Sequence, residues 1–158
     1  MQSVQIFDVS ERDLIVFGSK LGNARKVACY LAKEIDAPNP IAAGVIGDLA
    51  NLIENSHASR LFLVASTWGD GELQDCMEGL FVRSTLITVP IDTYIIELGN
   101  YYGYDDFEFG ALKIMEVCAS QLGLGIKSRI SVDSLPRIDW DTFGRWVKTE
   151  VGIQLSDD

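Results

Sequence analysis

Leu14-Ile15-Val16-Phe17-Gly18-Ser19-Lys20-Leu21-Gly22-Asn23-Ala24 is the stretch on which the reading of this chain turns. Four apolar residues form a strand, two glycines and a serine form a short loop, and an amphipathic helix starts at once. Its apolar positions, Ala24, Val27, Ala28, Leu31, Ala32 and Ile35, recur at helical spacing. Such a junction turns free backbone N–H groups and the positive end of a helix toward an anion. A phosphorylated ligand is one reading; a plain tight turn is the other, because strand–glycine–helix junctions occur throughout α/β folds. The spacing matches neither G-x-G-x-x-G nor the P-loop pattern, so neither a dinucleotide nor a nucleoside triphosphate is favoured.

Working outward, strand and helix patterns alternate to the end of the chain. Pro38 and Pro40 end the first helix, and a weak second strand is expected near residues 42–46. A short helix follows through Leu49, Leu52 and Ile53. The third strand, 61–65, is an unbroken apolar run of the kind that parallel sheets cover on both faces. Asp75 is expected to cap the next helix, with Glu78 three residues on as in a capping box. A fourth strand covers 94–98, and the helix after it is expected to bury Phe107, Ala111, Ile114, Met115, Cys118 and Leu122. A fifth strand covers about 127–132. A last helix after Pro136, capped by Asp139, puts Trp140, Phe143, Val147 and Val151 on one face. The pattern predicts an α/β fold, a doubly wound five-stranded parallel sheet of order 2-1-3-4-5 with helices on both faces. Residues 14–151 read as one domain, 1–13 as an N-terminal extension or edge segment, and 152–158 as a C-terminal tail.

The chain has 158 residues and a net charge of −10, which argues against nucleic acid or an anionic membrane as partner. An acidic protein that holds a phosphate does so mainly with backbone N–H groups and hydroxyls. Its protein partners are expected to present basic surfaces. Cys29, Cys76 and Cys118 show no CxxC pairing and His57 is the only histidine, so ordinary zinc and iron–sulfur spacing is absent. Cys29 and Cys118 fall on predicted helices and are expected to be inert buried thiols. With no signal peptide or spanning apolar run visible, the expected setting is a reducing cytoplasm.

Ligands of doubly wound sheets bind beyond the carboxyl ends of the strands, where the winding reverses. Three loops meet there: the one at Gly18, a second at Ser66-Thr67-Trp68-Gly69-Asp70-Gly71-Glu72, and a third at Gly99-Asn100-Tyr101-Tyr102-Gly103-Tyr104. Trp68 and Tyr104 beside a phosphate cradle suit a flat, partly apolar ring system carrying one phosphate. Tyr101 and Tyr102 can equally pack back on the sheet.

These residues resemble the flavodoxins, which hold FMN noncovalently, over nearly the whole chain, from about 13 to 151. The family phosphate loop, often G-S-x-T-G-N-A, reads here Gly18-Ser19-Lys20-Leu21-Gly22-Asn23-Ala24. The tryptophan loop, S-T-W followed by G-E-L-Q, reads Ser66-Thr67-Trp68 and Gly71-Glu72-Leu73-Gln74. The third, G-D-x-x-G-Y in long-chain members, reads Gly99-Asn100-Tyr101-Tyr102-Gly103-Tyr104.

The resemblance implies that Ser19, Gly22, Asn23 and Ala24 bind the phosphate with the N–H groups of Lys20 and Leu21. It implies that Trp68 and Tyr104 cover the two faces of the isoalloxazine and that the Gly69–Asp70 peptide sits beside flavin N5. Gly99, Asn100 and Tyr101 would address the pyrimidine edge by their backbone, and Ser66, Thr67, Gly71 and Leu98 complete the candidate set. Acidic residues near the ring (Asp70, Glu72, Asp75, Asp105, Asp106) disfavour an anionic reduced flavin, or simply form a solvated surface.

Two positions depart from the pattern. Leu21 replaces the family threonine and removes a hydroxyl donor to the phosphate, and Asn100 replaces an aspartate. The expected function is an FMN-dependent one-electron carrier, monomeric and without substrate turnover of its own, moving between a reductase and an acceptor protein. The alternative is an interaction or regulatory module of the same fold with weakened FMN binding. A quinone reductase needs substrate- and dimer-building segments that are not seen, and a phospho-acceptor receiver needs acids where Phe17 and Ala65 stand.

Overall fold

The computed structural model describes residues 12–18, 22–68, 72–99, 110–134 and 137–152, with Trp68 described by its backbone alone. The strands are β1 (Asp13–Gly18), β2 (Ile41–Ala42), β3 (Arg60–Trp68), β4 (Glu72–Leu73), β5 (Asp92–Gly99) and β6 (Gly125–Asp133). The helices are α1 (Asn23–Glu34), α2 (Leu49–Ser56), α3 (Asp75–Arg83), α4 (Gly110–Gln121) and α5 (Trp140–Trp146). The sheet runs β2-β1-β3-β5-β6, all parallel, which is the expected 2-1-3-4-5 order once the short β4 is set aside. β4 pairs antiparallel with the end of β3, Thr67 facing Leu73 and Trp68 facing Glu72, so the expected second loop is the tip of a hairpin.

Period-2 alternation divides the strand residues between two cores. Leu14 and Val16 of β1 join Leu61, Leu63 and Ile95 beneath α2, α3 and α4. Ile15 joins Phe62, Val64 and Ile96 beneath α1 and α5. Both faces of β3 are therefore covered, which is why its sequence is apolar without a break. Phe62 stacks on Tyr94 with centroids 4.7 Å apart, and Trp146 meets Tyr94 edge-on.

Several local expectations are corrected. The second strand keeps only Ile41–Ala42, and Ala43–Val45 turn into a 3-10 segment. Arg83 holds that segment by donating to the carbonyls of Ala43 and Ile46, both at 2.8 Å. α1 stops at Glu34, before either proline, because Asp36 takes a left-handed φ of 57°. Gln74, not Asp75, is the N-cap of α3 and makes no side-chain cap bond; Asp75 is the first helical residue. Cys29 is exposed because it lies off the apolar stripe formed by Val27, Ala28 and Leu31. Cys118 is half-buried, and burial ahead of the charge of Glu78 pushes its thiol pKa up, which keeps it unreactive at neutral pH. α4 buries Ala111, Met115 and Ala119, while Ile114, Cys118 and Leu122 only lean on that core. Phe107 lies outside the described residues, as do residues 1–11 and the end of the tail from 153.

Asp139 caps α5 as expected: its carboxylate accepts from the N–H of Thr142 at 3.1 Å and from its hydroxyl at 2.7 Å. The hydroxyl bond, then the N–H bond, holds the carboxyl below its ordinary pKa. A carboxylate with a depressed folded-state pKa adds stability above its unfolded value, roughly pH 3.9, and loses it as pH falls through the lower folded value. Asp139→Ala is expected to cost about 1 kcal/mol at neutral pH. In urea melts from pH 7 down to about pH 2, the gap to wild type should begin to close below about pH 4.

Candidate functional site

The carboxyl ends of β1, β3 and β5 lie side by side. Gly18 is in register with Ala65, and Ser66 with Leu98, so the chain leaves the sheet three times at adjacent points of one rim. The loops that leave there are the three singled out in the sequence. Ser19, Lys20 and Leu21 of the first, Gly69, Asp70 and Gly71 of the second, and Asn100, Tyr101 and Tyr104 of the third lie outside the described residues. Of the rim acids, Glu72 and Asp75 are exposed, and Asp70, Asp105 and Asp106 lie outside as well.

What holds these loops is described. Gly22 precedes α1 at φ 93°, in the left-handed region that favours glycine, and provides no side-chain cap. The first N–H groups of α1 thus have no acceptor within their own helix and, among the described residues, none from a capping side chain. Ala24 is wholly buried. No acidic residue occupies the first turn, where Arg25 and Lys26 are exposed cations. Cations at a helix N-terminus oppose the helix dipole, and a site for an anion is a reason to keep them there. The sequence reading overlooked this pair; cations in the first turn of a helix were the available signal.

Gly18 is fixed by packing: a Cβ there would come within 3.1 Å of both Cys76 Sγ and Met77 Cβ on α3. Beside it a cavity of about 480 Å³ is lined by Phe17, Ala42, Ala43, Gly44, Gln74 and Cys76, along with Asp75. Gln74 is buried, and neither its amide oxygen nor its amide nitrogen has a hydrogen-bond partner among the described residues.

Thr67 and Glu97 form a link that the sequence reading missed. Glu97 is wholly buried near the end of β5, and the Thr67 hydroxyl donates to its Oε2. The same hydroxyl accepts from the N–H of Ala111 at 3.0 Å, in the first turn of α4. A lone acid inside the apolar run Tyr94-Ile95-Ile96-Glu97-Leu98 was the signal that could have found it. Leu98 is wholly buried beneath α1 and α5. The Gly99 carbonyl accepts from the N–H of Ser134 at 2.8 Å and from its hydroxyl at 3.2 Å, tying the root of the third loop to the end of β6.

Comparison with known proteins follows the same line. The family model described as Flavodoxin matches residues 15–123. The chain belongs to the flavodoxin family. Among solved structures it is similar to the oxidised flavodoxin 1 of Bacillus cereus, at 20% identity and a TM-score of 0.66, over 88% of this chain and 99% of that one. It is also similar to a cysteine-to-alanine mutant of Pseudomonas aeruginosa flavodoxin, at 19% identity and a TM-score of 0.65, over 90% and 98% of the two chains. A third is a lysine-to-glycine mutant of Fusobacterium nucleatum flavodoxin bound to flavin mononucleotide, at 15% identity and a TM-score of 0.58, over 73% and 67%. No curated protein matches. At these identities the likeness to solved structures carries the fold, and the family rests on the sequence match. Among the described residues no group of side chains could hold a metal ion, and no helix is long and apolar enough to cross a membrane.

Proposed function

We propose that this chain binds FMN at the rim above β1, β3 and β5 and serves as a one-electron carrier between a reductase and an acceptor protein. The convergence of three strand ends on one rim, next to a helix start without a side-chain cap, is the observation that carries the reading. Bound there, FMN supplies the one-electron redox chemistry that protein side chains lack. The chain's own part is to bind and orient. The start of α1, with Arg25 and Lys26, favours the phosphate. Ser19, Gly22, Asn23 and the N–H groups of Lys20, Leu21 and Ala24 form its cradle. Trp68 and Tyr104 shield the two ring faces from water, while the Gly69–Asp70 peptide and the backbone of Gly99, Asn100 and Tyr101 fix the ring edges. With a net charge of −10 the carrier docks on basic surfaces, as a monomer in a reducing compartment, and Cys29, Cys76 and Cys118 are free thiols.

The decisive measurement is a titration of the purified protein with FMN, following tryptophan fluorescence and the visible flavin bands. Saturable quenching with a perturbed flavin spectrum is the expected result. Absence of both at high FMN would leave a flavodoxin-fold interaction module. Leu21→Thr restores a hydroxyl donor toward a charged group, an interaction worth about 1.5–3 kcal/mol. FMN is therefore expected to bind this variant about tenfold more tightly or better. Equal dissociation constants would show that Leu21 lies away from the phosphate.

A further inference from the structure

Glu97 has no part in the proposed binding of FMN, yet it is the most anomalous side chain near the rim. It is one of few polar residues among the described core, at 0% exposure in a central strand. Burying a carboxylate is costly unless hydrogen bonds compensate. Part of that compensation comes from β3. Glu97 is in register with Ala65 on β3 and with Ser131 on β6. Two residues beyond Ala65 on the same face stands Thr67, whose hydroxyl donates to Glu97 and accepts from Ala111. On the other flank the Ser131 hydroxyl is buried and unpaired among the described residues.

Each partner stands at the stem of a loop that faces the flavin in the proposed function. Thr67 immediately precedes Trp68. Glu97 lies two residues before Gly99, where the third loop begins. Ala111 lies in the first turn of the helix that follows that loop. One carboxylate thus connects the exit of β3, the exit of β5 and the start of α4. An apolar side chain of similar size would fill the same space without the desolvation cost. Retaining a charge there has a reason if the charge acts on something above it.

We infer that Glu97 is a positioning residue for the flavin: its link to Thr67 fixes the strand ends from which the second and third loops leave, and its negative charge favours oxidised over reduced FMN. This rests on the proposed FMN site. The rim lies about two strand residues away, roughly 7 Å at 3.3 Å per residue. A unit charge at about 10 Å, with an effective protein dielectric near 20, changes the affinity for a species carrying one more negative charge by about tenfold.

The test is to titrate wild type, Glu97→Gln and Glu97→Asp with oxidised FMN and, without oxygen, with dithionite-reduced FMN. The readout is the ratio of the two dissociation constants, alongside the melting temperature of the apoprotein. Glu97→Gln keeps the shape and an acceptor for Thr67 and is expected to move the ratio about tenfold toward the reduced form. Glu97→Asp keeps the charge and should leave the ratio near that of wild type. Glu97→Met gives the same reading as Glu97→Gln should the buried amide prevent folding. An unshifted ratio in the neutral variants, or an equal shift in Glu97→Asp, overturns the inference. If wild type binds FMN tightly while the ratio stays fixed, this inference alone falls. If wild type binds neither form, the FMN reading falls and takes this one with it.

Discussion

Gly123→Ala is expected to lower the melting temperature by about 10 °C, from a loss of about 3 kcal/mol. Gly123 closes α4 at φ 95°, where its N–H donates to Ser120 O at 3.0 Å and the next N–H, of Leu124, returns to Ala119 O. The adjacent Leu122 carbonyl accepts from Ile87 N–H at 2.8 Å, so this turn also anchors the segment leading into β5. A Cβ on residue 123 would lie 2.5 Å from the Ile87 carbonyl oxygen. That neighbour is backbone and cannot swing aside as a side-chain tip could. The left-handed conformation costs an L-residue roughly 1–2 kcal/mol, and the forced overlap adds roughly 1–3 kcal/mol. Gly22→Ala, read on the apoprotein, separates the two contributions: φ is 93° there in the left-handed region, but an added Cβ meets nothing within 4 Å. It should lose only the backbone part. If thermal unfolding followed by circular dichroism shows both variants melting alike, the contact with Ile87 contributes nothing.

The second large effect is expected at Arg60. Its Nε and one terminal nitrogen donate to the two carboxylate oxygens of Asp13 at 2.7 and 2.9 Å, and the other donates to the Val151 carbonyl at 2.9 Å. The guanidinium lies over the Phe62 ring, 5.4 Å from its centroid. The hydrogen bond to Asp13 outweighs the opposing desolvation and raises the Arg60 pKa above its already high value, so the cation persists at any working pH. Arg60→Met keeps most of the stem but leaves Asp13, whose side chain is only 5% exposed, as a buried charge without its counterion. Breaking such a pair costs about 3–5 kcal/mol; with Arg60 a quarter exposed, about 3 kcal/mol is expected. Adding Asp13→Asn removes the stranded charge and should recover about half of that loss. Urea denaturation of the two single variants and the double one measures the coupling. Additive losses would show that the pair is not cooperative.

Much of the fold was legible because its cause is local. The 3.6-residue period through Ala24, Val27, Ala28, Leu31 and Ala32 and the unbroken apolar run 61–65 each determine an element and its burial. Parallel order then follows from the few ways of winding such a series. The Asp139 cap was legible for the same reason, since a carboxylate three residues before Thr142 acts over one turn. Where the reading failed, a distant partner decided. Ala42–Ile46 reads as a strand, but Arg83 on α3 captures the carbonyls of Ala43 and Ile46 and turns the chain after two residues. Asp75 reads as a cap, but the pairing of β4 with β3 sets the helix entry one residue earlier.

Sequence alone determined the family, the doubly wound sheet, and which three loops share a rim. These follow from residue order and from hydrophobic periodicity, which any fold must satisfy to bury its core. Only tertiary structure decided what Thr67 and Glu97 do. In sequence they are 30 positions apart, a loop hydroxyl and a stray acid in a strand. The register of β3 with β5, and the docking of α4 over both, brings them within hydrogen-bonding reach. A buried charge is tolerated only where such long-range partners meet it.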